Sequence, residues 1–340
     1  VASLAGVSAV INLAGAGVGD KRWTSSYKNE ILNSRVSSTR TIAKAVEELK
    51  PDVFISASAI GWYGETGDRG VTESDRGGDD FLAGVCEQWE AAADLAPSVR
   101  TVKIRTGVVL DPTGGALGKM LPLFKFGVGG KMGSGKQWWS WITLHDQIRS
   151  IQFLMDSDLA GPVNTTAPNP ATNSEFTAAL ARALHRPALL PVPGIALKVA
   201  LGGFSSELLG SKKVLPEVLT NAGFVFDYPH VAPHEEPVPL ALLMANGVFR
   251  PHEVGGHHRG EQARHQQREQ HRGGRGPAEL QEELAGHAGH EGHGHEHRRQ
   301  RRRGGDDGQA DLVGGLGGGL LGRLAHAQVA VDVLDFHDGV

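Results

Sequence analysis

At 340 residues the chain is long enough for two ordinary domains, and 40% hydrophobic residues is enough apolar material for a sizeable core. A net charge of −4 and a pI near 6.5 give no electrostatic reason to expect nucleic acid or an anionic membrane as partner. The single cysteine, Cys86, excludes an internal disulfide and is compatible with a reducing, cytoplasmic setting. No run of about 20 apolar residues exists to span a bilayer. No charged segment followed by a hydrophobic stretch and a cleavage site marks a signal peptide.

The composition changes near His230. Before that point all twenty amino acids are in use; from Val231 to Val340 there is no Ile, Lys, Ser, Thr, Tyr, Trp or Cys. Of the 16 histidines, only His145 and His185 precede residue 230. The residues that build the tail (Gly, Ala, Arg, His, Glu, Gln, Asp, Leu, Val and Pro) all have codons beginning with G or C. Met244, Asn246, Phe249 and Phe336 are the exceptions. A GC-rich coding strand read in a shifted frame gives this pattern, and a genuine low-complexity tail is the alternative. Either origin predicts a disordered segment over 231–340, because so little apolar variety cannot offset chain entropy. His293-Gly294-His295-Glu296-His297 has the ligand chemistry for a divalent metal, but a solvated, biased run is the favoured reading, and no metal site is assigned.

In the first part, Ala9-Val10-Ile11-Asn12-Leu13-Ala14-Gly15 reads as a buried strand ending in a glycine turn. Ile42, Ala45, Val46 and Leu49 repeat at helical spacing, and Pro51 stops that helix. Val53-Phe54-Ile55 reads as a second buried strand ending at Ser56-Ala57-Ser58, and Phe81 to Ala93 is rich in helix formers. Val102-Lys103-Ile104 opens a third strand, closed by Pro112 and the glycines after it. This alternation, with continuous rather than alternating apolar strands, predicts a parallel sheet with helices on both faces. Ligands bind beyond the carboxyl ends of such strands. Three segments fall there: residues 12–15, 56–58 and 105–108. Each alone reads as an ordinary strand-end turn; three on one edge predict a binding crevice.

The order of short motifs then becomes recognisable. Val10-Ile11-Asn12-Leu13-Ala14-Gly15 is followed by Asn33-Ser34-Arg35 with Thr39, and then by Ser56-Ala57-Ser58-Ala59-Ile60-Gly61-Trp62-Tyr63-Gly64. After these come Arg105-Thr106-Gly107-Val108-Val109-Leu110, Gly114-Gly115-Ala116-Leu117, Lys119-Met120-Leu121-Pro122, Gly133-Ser134-Gly135 and Ala167-Pro168-Asn169-Pro170. Leu190-Pro191-Val192-Pro193 and Gly223-Phe224 with Tyr228-Pro229 complete the series. Through residue 230 the chain resembles the epimerase-type atypical extended short-chain dehydrogenases/reductases with their small C-terminal domain of unknown function.

The resemblance implies an α/β fold: a Rossmann-like, doubly wound parallel sheet over 1–165, a small C-terminal α/β substrate domain over 166–230, and the disordered tail beyond. It implies NADP or NAD as cofactor and a small-molecule substrate. The family's first strand leads into a Gly-x-x-Gly-x-x-Gly turn that would precede Val1, so the sheet is expected to lack its first strands and the chain to bind cofactor poorly. Asn12, Leu13, Ala14 and Gly15 resemble the segment that runs along the cofactor. Ser56, Ala57, Ser58, Arg105, Thr106, Gly107 and Val108 resemble the wall on the nicotinamide side.

Ordinary members use a Tyr with a Lys four residues later. Here Tyr27, Tyr63 and Tyr228 are followed at that spacing by Ile31, Gly67 and Ala232. The helix positions expected to carry the pair hold Leu82 and Cys86, or Cys86 and Glu90. Ser58, in the helper-hydroxyl position, and Tyr63 nearby are therefore the candidate catalytic proton donors. Cys86 is expected to be buried and structural, and Lys21-Arg22-Trp23 to be a turn anchored by Trp23. Trp138, Trp139 and Trp141 line either a substrate pocket or a core. His145-Asp146 stands where the family usually has two adjacent acids. Two readings result: an NADP(H)-binding oxidoreductase or epimerase-like protein, or a non-catalytic nucleotide-binding or regulatory protein.

Overall fold

The computed structural model describes residues 6–231 and the backbone of Val329–Asp332. In chain order, strand β1 (Ala9–Asn12) leads through a loop to helix α1 (Ser25–Leu49). Next come β2 (Val53–Ala59), a short 3-10 turn (Ile60–Tyr63), β3 (Gly70–Val71), α2 (Phe81–Ala93), β4 (Thr101–Thr106), β5 (Val108–Leu110) and α3 (Gly115–Lys125). The second half contains β6 (Trp138–Trp139), β7 (Trp141–Thr143), α4 (Leu144–Asp156), β8 (Gly161–Thr165), β9 (Ala171–Thr172) and α5 (Asn173–Ala183). It closes with α6 (Gly194–Leu201), α7 (Ser205–Leu209), β10 (Lys213–Val214), α8 (Glu217–Asn221) and, far along the chain, β11 (Val329–Asp332).

Five strands form one parallel sheet in the order β11-β1-β2-β4-β8. Adjacent residues point to opposite faces of a strand, and the sequence fills both. Val10 and Phe54 pack against Ala43 and Val46 of α1 and Ala93 of α2. Ile11, Ile55, Val102, Ile104 and Val163 pack on the other face against Ile151 and Leu154 of α4 and Leu219 of α8. The sheet is thus doubly wound. Full burial of side chains such as Phe54, Ile55 and Ile104 stabilises it by about 1.5–3 kcal/mol each. A separate core gathers Leu110, Leu117, Leu121, Phe124, Trp139, Trp141, Phe176 and Leu180. Trp139 and Trp141 therefore belong to packing. Trp138 is partly exposed, and its indole donates to Asp68 at 2.9 Å.

Two expectations change. β2 does not end at Ile55; it runs through Ser56, Ala57 and Ser58 to Ala59. These small side chains are buried, so the segment read as a strand-end turn is the strand itself. Polar residues there looked like a terminus, yet Ser56 is held within the sheet and its hydroxyl donates to the Ala57 carbonyl. Second, the long strand expected from Val102 breaks at Gly107. Any Cβ there would lie 2.8 Å from the Ser140 carbonyl oxygen and 2.9 Å from Thr166 Cγ2. β4 therefore ends in the main sheet, and β5 pairs with β7. Of 231–340, only Val231 and the backbone of Val329–Asp332 are described. Val231 is buried against the second core, and β11 pairs in parallel with β1, Ala9 opposite Val329 and Asn12 opposite Asp332. The rest of the tail, with the histidine cluster, lies outside the described residues.

The edge of β1 expected to be bare is therefore covered by β11. A chain ended at Gln328 should lose that ladder and expose unpaired β1 amides. Hydrogen exchange should accelerate at residues 9–12 and light scattering should rise at lower protein concentration. Unchanged exchange at β1 would count against the pairing.

Candidate functional site

The parallel register brings the ends of β1, β2, β4 and β8 to one edge. Ser58 lies opposite Arg105, Ala59 opposite Thr106, Arg105 opposite Asn164 and Thr106 opposite Thr165. At that edge a buried polar network is centred on Arg105 and Glu90. Glu90 faces β4 because α2 begins at Asp80, whose carboxylate accepts from Ala83 N at 2.8 Å and fixes the helix phase. Arg105 Nε and Nη2 donate to the two Glu90 oxygens at 2.8 and 3.0 Å, a bidentate pair with both side chains under a tenth exposed. The guanidinium also lies 4.0 Å from the Trp62 ring centroid.

Both candidate donors join this network. Ser58 Oγ donates to Glu90 Oε1 at 2.7 Å. Arg105 Nη1 donates to the Tyr63 hydroxyl at 3.1 Å, and that hydroxyl donates to Asn164 Oδ1 at 2.7 Å. Tyr63 is placed by the 3-10 turn that leaves β2, which ends at Gly64 with φ +61°, a backbone that favours glycine. Burial pushes the Tyr63 hydroxyl up to about 12, outweighing the lowering influence of Arg105. Burial also acts against the Arg105 cation, but the Glu90 carboxylate more than compensates and holds its pKa above the usual guanidinium value. Glu73 has a raised pKa because it is largely buried. Its Oε1 accepts from Asn164 N at 2.9 Å, while Oε2 is buried without a hydrogen-bond partner among the described residues.

Cys86 sits one turn before Glu90 and is buried, its thiol directed to the Ala59 carbonyl at 3.6 Å. Burial first, and then the neighbouring Glu90, pushes the thiol up to about 12, so it is not a thiolate nucleophile at neutral pH. Leu82, Cys86 and Glu90 thus occupy successive turns of α2 against the carboxyl end of β2.

The β1 segment divides. Asn12 is fully buried: its Nδ2 donates to Thr39 Oγ1 at 2.7 Å and its Oδ1 accepts from Ala14 N at 3.2 Å. Trp89 Nε1 also donates to Thr39 Oγ1, at 2.8 Å, which ties α2 to the same point. Asn12 therefore shapes the loop, Ala14 is buried, and Leu13 and Gly15 are exposed. Beside Gly15 stands Arg35, which carried no assigned role in the sequence beyond its motif. A Cβ on Gly15 would lie 3.1 Å from its side chain. Arg35 donates to the Ala16 and Ile31 carbonyls at 2.9 and 3.1 Å and lies 5.0 Å from the Trp89 ring, with no carboxylate partner among the described residues. Burial lowers its pKa from the usual guanidinium value. The signal that could have found it is an arginine one turn before Thr39, on the helix face turned to the β1 loop.

A nicotinamide dinucleotide needs a ledge for its nicotinamide and ribose and a cradle of backbone N–H groups for its pyrophosphate. The described residues fit the first requirement: a glycine approach at Gly15, an uncompensated cation at Arg35, and half-buried Thr106, Gly107 and Val108 at the edge. They do not fit the second. The helix after β1 starts beyond a long loop, and Thr24 caps it by accepting from Tyr27 N. Trp23 Nε1 donates to Val18 O at 2.7 Å and anchors that loop as a turn.

His145, Asp146 and Asp227 bring ligand atoms within 4.8 Å of one another, but Asp146 is already engaged. Its Oδ1 accepts from Arg149 at 2.8 Å and from Asp227 N at 3.1 Å, and its Oδ2 from Tyr228 N at 2.9 Å. With His145 at 2.7 Å from Asp227, the cluster latches the 223–228 segment to α4.

An epimerase family protein of Mycobacterium bovis is 44% identical over 230 residues, spanning 66% of this chain and 76% of that protein. The chain belongs to the NAD dependent epimerase/dehydratase family. That family's model matches residues 1–81, and a domain of unknown function (DUF1731) matches residues 192–233. A chloroplastic epimerase family homologue of Arabidopsis thaliana is 42% identical over 233 residues, 66% of this chain and 67% of that protein. The crystal structure of the human epimerase family protein SDR39U1 with NADPH superposes with a TM-score of 0.67 at 31% identity, covering 72% of this chain and 85% of that one. A nucleoside-diphosphate sugar epimerase from Corynebacterium glutamicum superposes at 0.52 and 32% identity, covering 79% of this chain and 57% of that one. The epimerase-family sheet is thus the one described above. No helix among the described residues is long and apolar enough to cross a membrane.

Two outcomes test the network of this family member. Replacing Glu90 with Leu strands a buried guanidinium and should cost about 3–5 kcal/mol in urea unfolding; pairing it with Arg105→Met should cost clearly less than the single change. Tyr63 has a folded pKa raised above the reference 10.0, so its stabilising contribution is complete below about pH 10 and is lost as pH climbs toward 12. Alkaline unfolding of Tyr63→Phe should lack that component, while Cys86 should react with a thiol reagent only as the chain unfolds.

Proposed function

We propose that this family member is an NADP(H)-binding oxidoreductase acting on a small carbonyl-bearing or sugar-like substrate at the common carboxyl edge of β1, β2 and β4. The observation that carries the reading is the unpaired Arg35 cation beside Gly15 at that edge, together with family membership and the human relative solved with NADPH. In this reading 1–165 is the cofactor domain, 166–230 the substrate domain and 231–340 an appended tail; the setting is cytoplasmic. Leu13, Ala14 and Gly15 run along the cofactor. Thr106, Gly107 and Val108 wall its nicotinamide side, and Asn12, Ser56, Ala57 and Arg105 shape the two walls from beneath.

A bound nicotinamide cofactor supplies or accepts the hydride. The chain's own contribution is proton placement and exclusion of water. Ser58 and Tyr63 are the proposed donors, and each has a committed partner: the Ser58 hydroxyl donates a hydrogen bond to Glu90, and the Tyr63 hydroxyl donates one to Asn164. A substrate oxygen would have to replace one of these acceptors. That requirement supports a second reading, a nucleotide-binding protein without catalysis. The Leu82-Cys86-Glu90 face of α2, where ordinary members carry Tyr and Lys, favours it further.

On its own, this 340-residue chain should bind NADPH weakly. Losing several charge-assisted hydrogen bonds to the pyrophosphate, at about 1.5–3 kcal/mol each, reduces affinity by orders of magnitude. Fluorescence titration should find no saturation at micromolar NADPH, and fusing an upstream strand with a glycine turn should restore it. Tight binding by the chain as it stands would place the phosphate site in the 15–19 loop instead. Cofactor oxidation by the restored protein against a panel of carbonyl compounds separates the readings, since only an oxidoreductase turns over and loses turnover in Ser58→Ala or Tyr63→Phe.

A further inference from the structure

A chain-wide charge of −4 hides a face with no free acid. Between Asp111 and Asp146 the sequence has Lys119, Lys125, Lys131 and Lys136 and no Asp or Glu; between Glu175 and Glu207 it has Arg182, His185, Arg186 and Lys198 and again none. The fold lays these two stretches side by side. Val192 N donates to Lys131 O at 2.8 Å, Gly133 N donates to Val192 O at 2.9 Å, and the Leu190 carbonyl lies so close to Gly130 that no Cβ would fit. The flanking acids are engaged: Glu175 turns back onto Thr172 in a capping box, and Glu207 pairs with Lys212 at 2.9 Å. Lys125, Lys131, Arg186 and Lys198 have no acidic partner among the described residues.

The same two stretches also expose apolar side chains. Phe126 is 82% exposed, Leu189 83% and Ile195 78%, and Val199 follows Ile195 one turn later on α6. No residue of α6 is buried, although six of its eight are Ile, Leu, Val or Ala, and Leu197 alone leans on the second core. Between α5 and the 185–188 strap lies an open recess of about 720 Å³, floored by Ala178, Ala181 and Ala188 and rimmed by Arg182, His185 and Arg186.

We propose that this face docks onto an anionic phospholipid surface. Protruding apolar side chains ringed by Lys and Arg combine the two attractions that hold a protein at such an interface: apolar area entering the acyl boundary and cations among the headgroups. Phe126, Leu189, Ile195 and Val199 enter, while Lys125, Lys131, Arg186 and Lys198 stay at headgroup level. The recess, cationic and acid-free at its rim, receives a headgroup phosphate. A second copy of the chain is the poorer occupant, because a two-fold interface would set this cationic face against itself.

The test is co-sedimentation of the full chain with phosphatidylcholine vesicles, with and without phosphatidylglycerol. Binding should require phosphatidylglycerol and weaken as salt is raised. Ile195→Glu/Val199→Glu and, separately, Arg182→Glu/Arg186→Glu should each lower the bound fraction on the order of tenfold or more, with unchanged circular dichroism. The substituted residues are exposed, and Lys125→Glu/Lys198→Glu serves if either variant misfolds. All these variants keep the arginines of residues 298–303, so a loss on substitution assigns binding to this face and not to the tail. Equal sedimentation with neutral vesicles, binding that the substitutions leave intact, or a dimer that they dissociate would each overturn the proposal.

Discussion

The buried Arg105–Glu90 pair is the contact on which the candidate site depends. A guanidinium and a carboxylate cannot stay charged in a protein interior unless each satisfies the other and their remaining lone pairs and protons find partners. The chain meets that demand with one residue from nearly every element at the edge: Glu90 from α2, Arg105 from β4, Ser58 from β2, Tyr63 and Trp62 from the turn after it, and Asn164 from β8. Charge-assisted hydrogen bonds therefore tie the ends of β2 and β4 to α2, and the neutral Tyr63–Asn164 bond extends the network to β8.

That solution constrains the chemistry. In an acid/base pair made from Tyr and Lys, the phenol is useful because a neighbouring cation brings its pKa down. Here a cation does neighbour Tyr63, yet Arg105 is already committed to Glu90, and burial outweighs it. The arrangement favours order over proton mobility. Ser58 and Tyr63 can serve a reaction only if substrate binding disturbs an acceptor, and Glu73, with one buried oxygen unpartnered beside Asn164, shows where the network is least saturated.

Much of this was legible from residue order. α2 lies over Phe81–Ala93 as its helix formers suggest, Pro51 does follow the end of α1, and the family appeared in the succession of motifs from Val10 to Tyr228. What escaped has a common cause: propensity sees neighbours in sequence, and these features depend on neighbours in space. Ser56-Ala57-Ser58 looked like a strand end because its residues are small and polar; it continues as strand because it pairs with Lys103, Ile104 and Arg105 of β4. Glu90 stood in the sequence only as a helix position lacking the expected Lys; its pairing with Arg105 of β4 appears in the fold alone. The partner of β1 lies hundreds of residues away, in a segment whose average composition argues for disorder.

The two polar solutions in the molecule are opposites, and the contrast bears on what each part is for. At the sheet edge every charge is paired or capped: Glu90 by Arg105, Asp80 by an amide of its own helix, and Asp146 by Arg149 and two backbone amides. Arg35 is the exception, a cation packed against Trp89 beside the glycine loop with two carbonyls as its acceptors among the described residues. Pairing everything else costs little there, because buried charges without partners would unfold the edge. The loop that approaches this cation is the one that runs from β1, so an anion bound there would meet a guanidinium that no carboxylate among the described residues neutralises. Arg35 is therefore where the scaffold's rigidity and the proposed binding of an anionic ligand meet: the Asn12–Thr39–Trp89 contacts hold the loop and helix that frame it, and the free edge of its guanidinium is left for what binds.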